Sequence, residues 1–159
     1  MNVIFLDIDG VLNSDRYDRS RREDQGNIDE TRLPLLKRII EETGAVIVLS
    51  SSWRKHWEKD PEARDAIGKE LDGLFGSNGL AIADKTPVLP DRDRAGEIRL
   101  WLARNGNPEG FVILDDIAFG WGEDLFGHLV KTNSRIGRGL EEEHVNKAIA
   151  ILQKKEDEV

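Results

Sequence analysis

The sequence predicts an α/β fold in which a central parallel sheet of about five strands is covered by helices on both faces. Two observations carry this prediction. Short apolar runs alternate along the chain with longer amphipathic stretches, which is typical of βαβ units. Three of these runs are apolar at every position rather than at every second one, as expected of central strands that are buried on both faces.

Five apolar runs are candidate strands. They comprise residues 2–6, 45–49, 80–83, 111–114 and, more weakly, 128–131. The first, second and fourth are the continuously apolar ones, so we expect them in the centre of the sheet. The irregular segments 13–27, 53–60 and 117–127 follow the carboxyl ends of these three strands. In open α/β sheets this edge binds ligands, and we expect the functional site there.

Four amphipathic stretches are the candidate helices. They comprise residues 28–43, 61–71, 93–105 and 141–153. The first has leucine and isoleucine at helical spacing, and Gly44 is a typical helix stop just after it. Either Asp29 or Thr31 is expected to cap its start. We expect one domain over residues 1–153, followed by a charged tail, 154–159, that frays.

Composition excludes several classes of function. The chain has 159 residues and a net charge of −8, which argues against a non-specific binder of polyanions. With no cysteine it has no disulfide, no thiolate zinc site and no cysteine nucleophile. The start of the chain lacks a basic leader, and no apolar run approaches the ~18 residues of a membrane span. We therefore expect a cytoplasmic protein without membrane contact.

Two pairs of aspartates end two of the apolar runs. Asp7 and Asp9 follow the first run, with Gly10 allowing a sharp turn, and Asp115 and Asp116 follow the fourth. A lone aspartate in such a place is more often a helix cap or a solvated residue. If the two strands are neighbours, however, four carboxylates meet at one edge and need a compensating cation or proton. Mg²⁺ suits oxygen ligands and a phosphate substrate.

Other polar residues near the same edge suit phosphate binding. Ser50 and Ser51 close the second strand, where hydroxyl and backbone N–H groups hold phosphate oxygens, although a helix cap explains a serine run equally well. Lys85 and Arg94 are the candidate cations that offset phosphate charge. Either of them is otherwise an ordinary solvated surface charge.

These residues resemble the haloacid dehalogenase (HAD) superfamily of phosphatases and phosphotransferases. The motifs occur in the family's order: residues 7–11, residues 46–50, a basic residue, and residues 112–116. A closer likeness links three segments to the HAD domains associated with modular RNA-repair proteins. The segments are residues 48–54, 97–102 and 139–140. The resemblance implies a three-layer, Rossmann-like HAD fold with strand order 3-2-1-4-5, which places the first strand between the second and the fourth.

The resemblance also implies roles for the carboxylates. Asp7 would be the nucleophile that takes the phosphoryl group, and Asp9 would protonate the leaving oxygen and then activate water. Mg²⁺ would be held by Asp7, by the main-chain carbonyl of Asp9 and by Asp116, with Asp115 in support. The expected activity is that of a Mg²⁺-dependent phosphomonoester hydrolase that works through an aspartyl-phosphate.

The remaining site residues would contact the substrate. Ser50 would bind the phosphoryl oxygens, and Arg94 or Lys85 would be the motif-three cation, with a slight preference for Arg94. Three further residues are expected to bind substrate. They are Gly10, Ser51 and Arg54.

The spacing between motifs leaves no room for a sizeable cap domain, so the site should be open to large substrates. A phosphorylated RNA or DNA end, or a nucleotide, is therefore the expected partner. Basic residues occur in the two loops that should border the site. They are Arg16, Arg19, Arg21, Arg22, Arg54, Lys55 and His56. Because acidic residues interleave with the arginines, an ordinary mixed-charge surface is the alternative.

Two other functions fit the same residues. One is a phosphate-accepting signalling module of the response-regulator type, in which the paired acids and the phosphoacceptor would occur in the reverse order. The other is a non-catalytic domain that keeps a metal and phosphate site. The sequence does not define the oligomeric state.

Overall fold

A computed structural model describes residues 1–154 of the protein. Its centre is a sheet of five parallel strands in the order β3-β2-β1-β4-β5, which is the order that the family resemblance implies. The strands are β1 (Asn2–Leu6), β2 (Val46–Leu49), β3 (Ile82–Lys85), β4 (Gly110–Asp115) and β5 (Leu129–Lys131). Leu6 lies beside Leu49 of β2 and Leu114 of β4, so these three strands end at one level.

Six α-helices and three 3-10 turns connect the strands within the described residues. The helices are α1 (Asp15–Ser20), α2 (Leu33–Thr43), α3 (Ala66–Ser77), α4 (Arg94–Asn105), α5 (Glu123–Phe126) and α6 (Glu142–Gln153). The 3-10 turns are Glu30–Arg32, Ser52–His56 and Pro61–Ala63. Gly44 ends α2 with φ of 70°, which confirms the predicted stop.

Alternate residues of β1 face two separate apolar layers. Ile4 and Leu6 belong to a buried cluster that includes residues of α2, α3 and α6. Val3 and Phe5 belong to a second cluster on the other face, where the Phe5 ring meets Trp101 of α4 edge to face, with centroids 5.3 Å apart. Burying each such side chain stabilises the fold by about 1.5–3 kcal/mol. The result is the predicted three-layer α/β fold.

The predicted helix over residues 61–71 is wrong in both its start and its end. A 3-10 turn, Pro61–Ala63, comes first, and the helix proper is α3. Asp65 causes the break, because its side chain accepts a hydrogen bond from the backbone N–H of Gly68 at 2.9 Å and so caps a new helix. Leu71 and Phe75 are both buried, which explains why α3 continues beyond residue 71.

Other observed boundaries differ from the predicted ones by smaller amounts. The third strand begins at Ile82 rather than at Leu80, because the N–H of Leu80 donates to the carbonyl of Phe75 at the end of α3. The stretch predicted as one helix from residue 28 divides into a 3-10 turn and α2, and Asp29 caps the turn by accepting from the N–H of Thr31. Short helices, α1 and α5, form within two of the segments expected to be irregular.

Two remaining expectations concern the surface of the chain. No helix among residues 1–154 combines the length and the apolar character needed to cross a bilayer. The charged tail expected from residue 154 lies outside the described residues apart from Lys154, which is exposed and follows α6.

Candidate active site

The carboxyl ends of the strands continue their backbone pairing into the loops, and this places the candidate residues side by side. The N–H of Asp7 donates to Leu114 of β4 at 3.0 Å, and the N–H of Ser50 donates to Leu6 at 2.8 Å. The N–H of Thr132 donates to Asp115 at 3.0 Å. Polar residues that follow β1, β2, β4 and β5 therefore share one edge of the sheet, as predicted.

Arg94 joins two of the aspartates. It is the first residue of α4, and its Nη1 lies 2.9 Å from a carboxylate oxygen of Asp7 and 2.9 Å from one of Asp115. The other oxygen of Asp7 accepts from the N–H of Ile8, and that of Asp115 accepts from the N–H of Ile117. Both carboxylates are buried and held in fixed positions.

Burial and mutual repulsion change the acidity of this group. Burial, followed by the negative charge of Asp115, raises the pKa of Asp7 to about 7, although Arg94 opposes the shift. Burial also raises the pKa of Asp115 above its usual range. Burial lowers the pKa of Arg94, but the two carboxylates raise it by more, so the guanidinium stays charged. A further cation would favour the ionised form of both acids.

Three carboxylates at this edge fit a hard metal ion. One oxygen each from Asp7, Asp115 and Asp116 lie within 4.8 Å of one another. Asp116 is half-buried and has its only hydrogen bond within residues 1–154 from the hydroxyl of Ser134, at 3.4 Å. Hard oxygen donors and excess negative charge suit Mg²⁺, which in such a site polarises a phosphoryl oxygen and offsets its charge.

Gly10 makes room for the Asp116 carboxylate. Its φ is +86°, and a Cβ atom at this position would overlap the Asp116 side chain. The N–H of Gly10 donates to the side chain of Asn13 at 2.8 Å, and its carbonyl accepts from the hydroxyl of Thr132 at 2.6 Å. Gly10 therefore allows the Asp116 carboxylate to lie against the backbone of this turn.

Asp9 is exposed, unlike Asp7, and opens on a separate pocket. One carboxylate oxygen accepts from the side-chain amide of Asn13 at 2.9 Å, and the other accepts from the indole N–H of Trp53 at 3.2 Å. The pocket has a volume of about 520 Å³. Asp9 is thus oriented from both sides toward a space that is large enough for a substrate.

The two serines differ in what their hydroxyls contact. Ser50 is 1% exposed, and its hydroxyl has no hydrogen-bond partner among residues 1–154. Ser51 is fully buried, and its hydroxyl accepts from the N–H of Trp53 at 3.3 Å and caps the 3-10 turn. The capping bond uses the Ser51 hydroxyl as an acceptor and leaves its proton free to donate, so the contact between Ser51 and substrate stays a prediction.

Two other predicted basic residues contact groups other than the aspartates. The Lys85 ammonium donates to the carbonyls of Arg54 and Trp57, at 3.0 and 2.7 Å, and to the Glu58 carboxylate at 2.9 Å. Lys85 thus holds the loop after β2, while Arg94 contacts the aspartates. Arg54 is buried, and its Nη1 forms an ion pair with Glu97 at 2.8 Å, while its contact with substrate stays a prediction.

The other basic loop residues divide between the site and the surface. Arg21 lines the pocket beside Asp9, and its guanidinium donates to the carbonyl of Gln25 at 2.7 Å. Lys55 and His56 line an adjoining cavity of about 200 Å³. The guanidinium of Arg22 pairs instead with the exposed Asp24. The predicted basic rim is therefore present only in part.

Asn13, Thr132 and Trp53 have roles that sequence reasoning did not assign. Asn13 bridges Gly10 and Asp9, and Thr132 fixes the carbonyl of Gly10. Thr132 comes directly after β5, at the same edge as the aspartates, so the strand pattern could have identified it as a site residue. The contact between Trp53 and Asp9 joins residues 44 positions apart and has no such signal.

Comparison with known proteins identifies the family of this chain. A family model described as the HAD domain in Swiss Army Knife RNA repair proteins matches residues 3–145. Curated proteins and solved structures gave no match. The matched range includes all five strands, apart from Asn2 at the start of β1, and every aspartate of the site. The observed strand order and the lack of a cap among the described residues agree with it. The chain therefore belongs to the family of HAD domains found in Swiss Army Knife RNA repair proteins.

Proposed function

We propose that the protein is a Mg²⁺-dependent phosphomonoester hydrolase that acts on the phosphate ends of nucleic acids or on nucleotides. The observation that carries the proposal is the arrangement of acids at one edge of the sheet. Asp7 is buried against Arg94 in a cluster of three carboxylates, whereas Asp9, two residues later, is exposed beside a pocket. Two carboxylates in such different environments suit a nucleophile and an acid–base group.

The proposed reaction has two steps. In the first, a carboxylate oxygen of Asp7 attacks phosphorus, the bond to the leaving oxygen breaks, and Asp9 gives that oxygen its proton. In the second, water attacks the aspartyl-phosphate, Asp9 takes the proton of the water, and Asp7 and inorganic phosphate are released. Asn13 and Trp53 hold the Asp9 carboxylate in one orientation, because each donates to one of its oxygens.

Other residues would stabilise the transferred group. The buried hydroxyl of Ser50, which is free of other hydrogen bonds within residues 1–154, suits a phosphoryl oxygen. Arg94 would offset negative charge on Asp7 and on the phosphoryl group. Asp7, Asp115 and Asp116, together with the main-chain carbonyl of Asp9, are the proposed holders of Mg²⁺.

Nucleic-acid ends are the proposed substrate class for two reasons. Family membership links the chain to RNA-repair proteins. The described residues also form no cap over the site, so a large substrate can reach the carboxylates.

The test is phosphate release with Mg²⁺ from 3′- and 5′-phosphorylated oligonucleotides, mononucleotides and sugar phosphates. We expect the wild type to be active and Asp7→Asn to lose at least about a thousandfold in turnover, because the nucleophile is removed. Asp124→Asn, which changes an exposed acid paired with Arg99, should keep wild-type activity. Equal activity of Asp7→Asn and wild type would overturn the mechanism, and an inactive wild type across the panel would overturn the function.

A further inference from the structure

Two sides of the candidate site differ in shape and chemistry. On the Trp53 side, the 520 Å³ pocket lies beside Asp9 and is also lined by Asn27. On the Phe119 side, Phe119 and the first residues of α4 line a smaller cavity of about 200 Å³ next to Arg94. The exposed carboxylate of Asp9 opens only on the first of these two cavities.

Trp53 is the common wall of three adjoining cavities. With Asn27 it lines the 520 Å³ pocket, a groove of about 380 Å³ along α3, and a smaller cavity of about 200 Å³. The other three tryptophans, Trp57, Trp101 and Trp121, are at most 6% exposed, whereas Trp53 is half-buried. A partly exposed indole at the meeting point of cavities is a surface on which an aromatic ring can stack.

The groove along α3 does not suit an anion. Its apolar lining comes from Ile67, Leu71 and Leu74, and Ile67 is 44% exposed. Its charged lining residues are Glu30 and Glu70, both acidic, and the groove has no basic lining residue within the described chain. A phosphodiester would be repelled by this charge. A flat, neutral ring with hydrogen-bonding edges fits it better, and the Asn27 amide beside Trp53 offers both a donor and an acceptor.

The position of Asp9 indicates which part of the substrate lies on this side. In the proposed function, on which this step rests, Asp9 protonates the leaving oxygen, so the leaving group must be next to Asp9. The indole N–H of Trp53 donates to that same carboxylate at 3.2 Å. The group attached to the leaving oxygen therefore comes within reach of the Trp53 ring.

We propose that the Trp53 side is a binding subsite for the nucleoside that carries the scissile phosphate, with its base stacked on the Trp53 indole and directed toward the groove along α3. The Phe119 side takes no part in binding this nucleoside. Because the base must leave its own stack to reach Trp53, the subsite selects unpaired ends over paired ones.

The first test measures binding and needs no turnover. Asp7→Asn protein in Mg²⁺ is titrated with adenosine 3′-monophosphate, adenosine 5′-monophosphate and glycerol phosphate, and its tryptophan fluorescence is recorded. Since Trp53 is the most exposed tryptophan, stacking should quench the emission with at least one nucleotide and not with glycerol phosphate. Equal quenching by glycerol phosphate, or none by either nucleotide, would overturn the subsite.

The second test locates the binding by affinity. Trp53→Leu should weaken binding of a labelled, phosphorylated single-stranded RNA, measured by anisotropy, by roughly tenfold to a hundredfold, as expected for loss of one stacked base. Ile67→Ala, which leaves the bond between Trp53 and Asp9 intact, should also weaken it. Matched changes outside the subsite, Phe119→Leu (82% exposed) and Ile136→Ala (91% exposed), should leave affinity unchanged. A larger loss from Phe119→Leu would place the nucleoside on the opposite side.

The two proposals fail in different ways. If wild type hydrolyses nucleotides and glycerol phosphate with equal kcat/KM and Trp53→Leu lowers both by the same factor, the subsite is wrong and the phosphatase function stands. If wild type hydrolyses none of the phosphomonoesters but nucleotides quench Trp53, the hydrolase function is wrong. A phosphotyrosine peptide that binds more tightly than the RNA and loses affinity in Trp53→Leu would overturn the nucleoside assignment.

Discussion

Arg94 controls the charge that the buried aspartates carry. One of its nitrogens contacts both Asp7 and Asp115, and among the described residues Asp116 forms no ion pair with a basic side chain. With all three acids ionised, the group has a net charge of −2. A single divalent cation would neutralise this charge, which is a residue-level reason to expect Mg²⁺ at the cluster.

The backbone conformation of Gly10 makes room for the Asp116 carboxylate of this cluster. It has a left-handed φ, as does Gly44 at the end of α2, but only Gly10 lies against an aspartate. A Cβ at Gly44 would meet no heavy atom within 4 Å. Comparing alanine substitutions at Gly10 and Gly44 therefore separates two costs in the free energy of unfolding. One is the strain of a left-handed backbone, and the other is the displacement of Asp116.

Gly10→Ala and Gly44→Ala test this difference. Gly44→Ala should lower the free energy of unfolding by about 1–2 kcal/mol, because alanine is strained in a left-handed conformation. Gly10→Ala should lower it by more, because its Cβ also overlaps the Asp116 side chain. Only Gly10→Ala should also lose the stabilisation that added Mg²⁺ gives the wild type, since its Cβ displaces the Asp116 carboxylate. Urea denaturation with and without Mg²⁺ measures both effects. Equal Mg²⁺ stabilisation of the two variants would exclude Asp116 from the metal site.

The loop after β2 contacts both Asp9 and helix α4, which lie on different sides of the site. In its 3-10 turn, Ser52–His56, the Trp53 side chain contacts Asp9, and the Arg54 side chain forms a buried ion pair with Glu97 of α4. Arg54 also donates to the hydroxyl of Thr86 at 2.6 Å. The arginine that sequence reasoning assigned to substrate therefore fixes the turn that carries Trp53.

Arg54→Met should be strongly destabilising, because it leaves the buried Glu97 without its cation. Loss of one partner of a buried pair costs about 3–5 kcal/mol. The matched change Arg99→Met removes a pair with Asp124 in which both side chains are exposed, and it should cost about 1 kcal/mol or less. Chemical denaturation of both variants is the measurement. A cost for Arg54→Met as small as that for Arg99→Met would contradict a structural role.

At the scale of the whole molecule, stability and function favour different protonation states of Asp7. Folding favours the protonated acid, whereas the proposed reaction needs the carboxylate. The net charge of −8 is spread over the chain, but Asp7 and Asp115 hold part of it in a buried site. In the folded state the pKa of Asp7 is raised to about 7, so the native protein binds more protons than the unfolded chain between about pH 4 and pH 7. This contribution to stability is complete below the ordinary pKa and is lost as pH rises.

The pH dependence of unfolding tests this linkage. In EDTA, the melting temperature of the wild type relative to Asp7→Asn should fall as pH rises from 4 to 7, because Asn cannot ionise. The difference between the two proteins removes the contribution of His144, whose pKa is lowered by burial and which acts in the opposite direction. Added Mg²⁺ above pH 7 should restore the stability of the wild type. A difference that does not vary with pH would show that the pKa of Asp7 is ordinary.

Much of the fold was predictable from local pattern. Continuous apolar runs identified β1, β2 and β4, because strands buried on both faces leave no polar positions. Boundaries were less predictable where a side chain competes with the backbone, as at Asp65, whose capping bond divides the expected helix. Apolar periodicity does not reveal such a bond, so the sequence pattern does not predict where α3 begins.

The sequence alone determined which chemical groups meet. Parallel strands end at one edge, so aspartates that follow two central strands had to lie together, and the family resemblance gave their order. The partners of the basic residues and of Trp53 depend on tertiary packing. Arg94, Lys85 and Arg54 are all basic side chains near that edge, but one contacts the aspartates, one holds a loop and one is buried with Glu97. Long side chains reach partners far along the chain, and those partners depend on packing that sequence spacing does not encode.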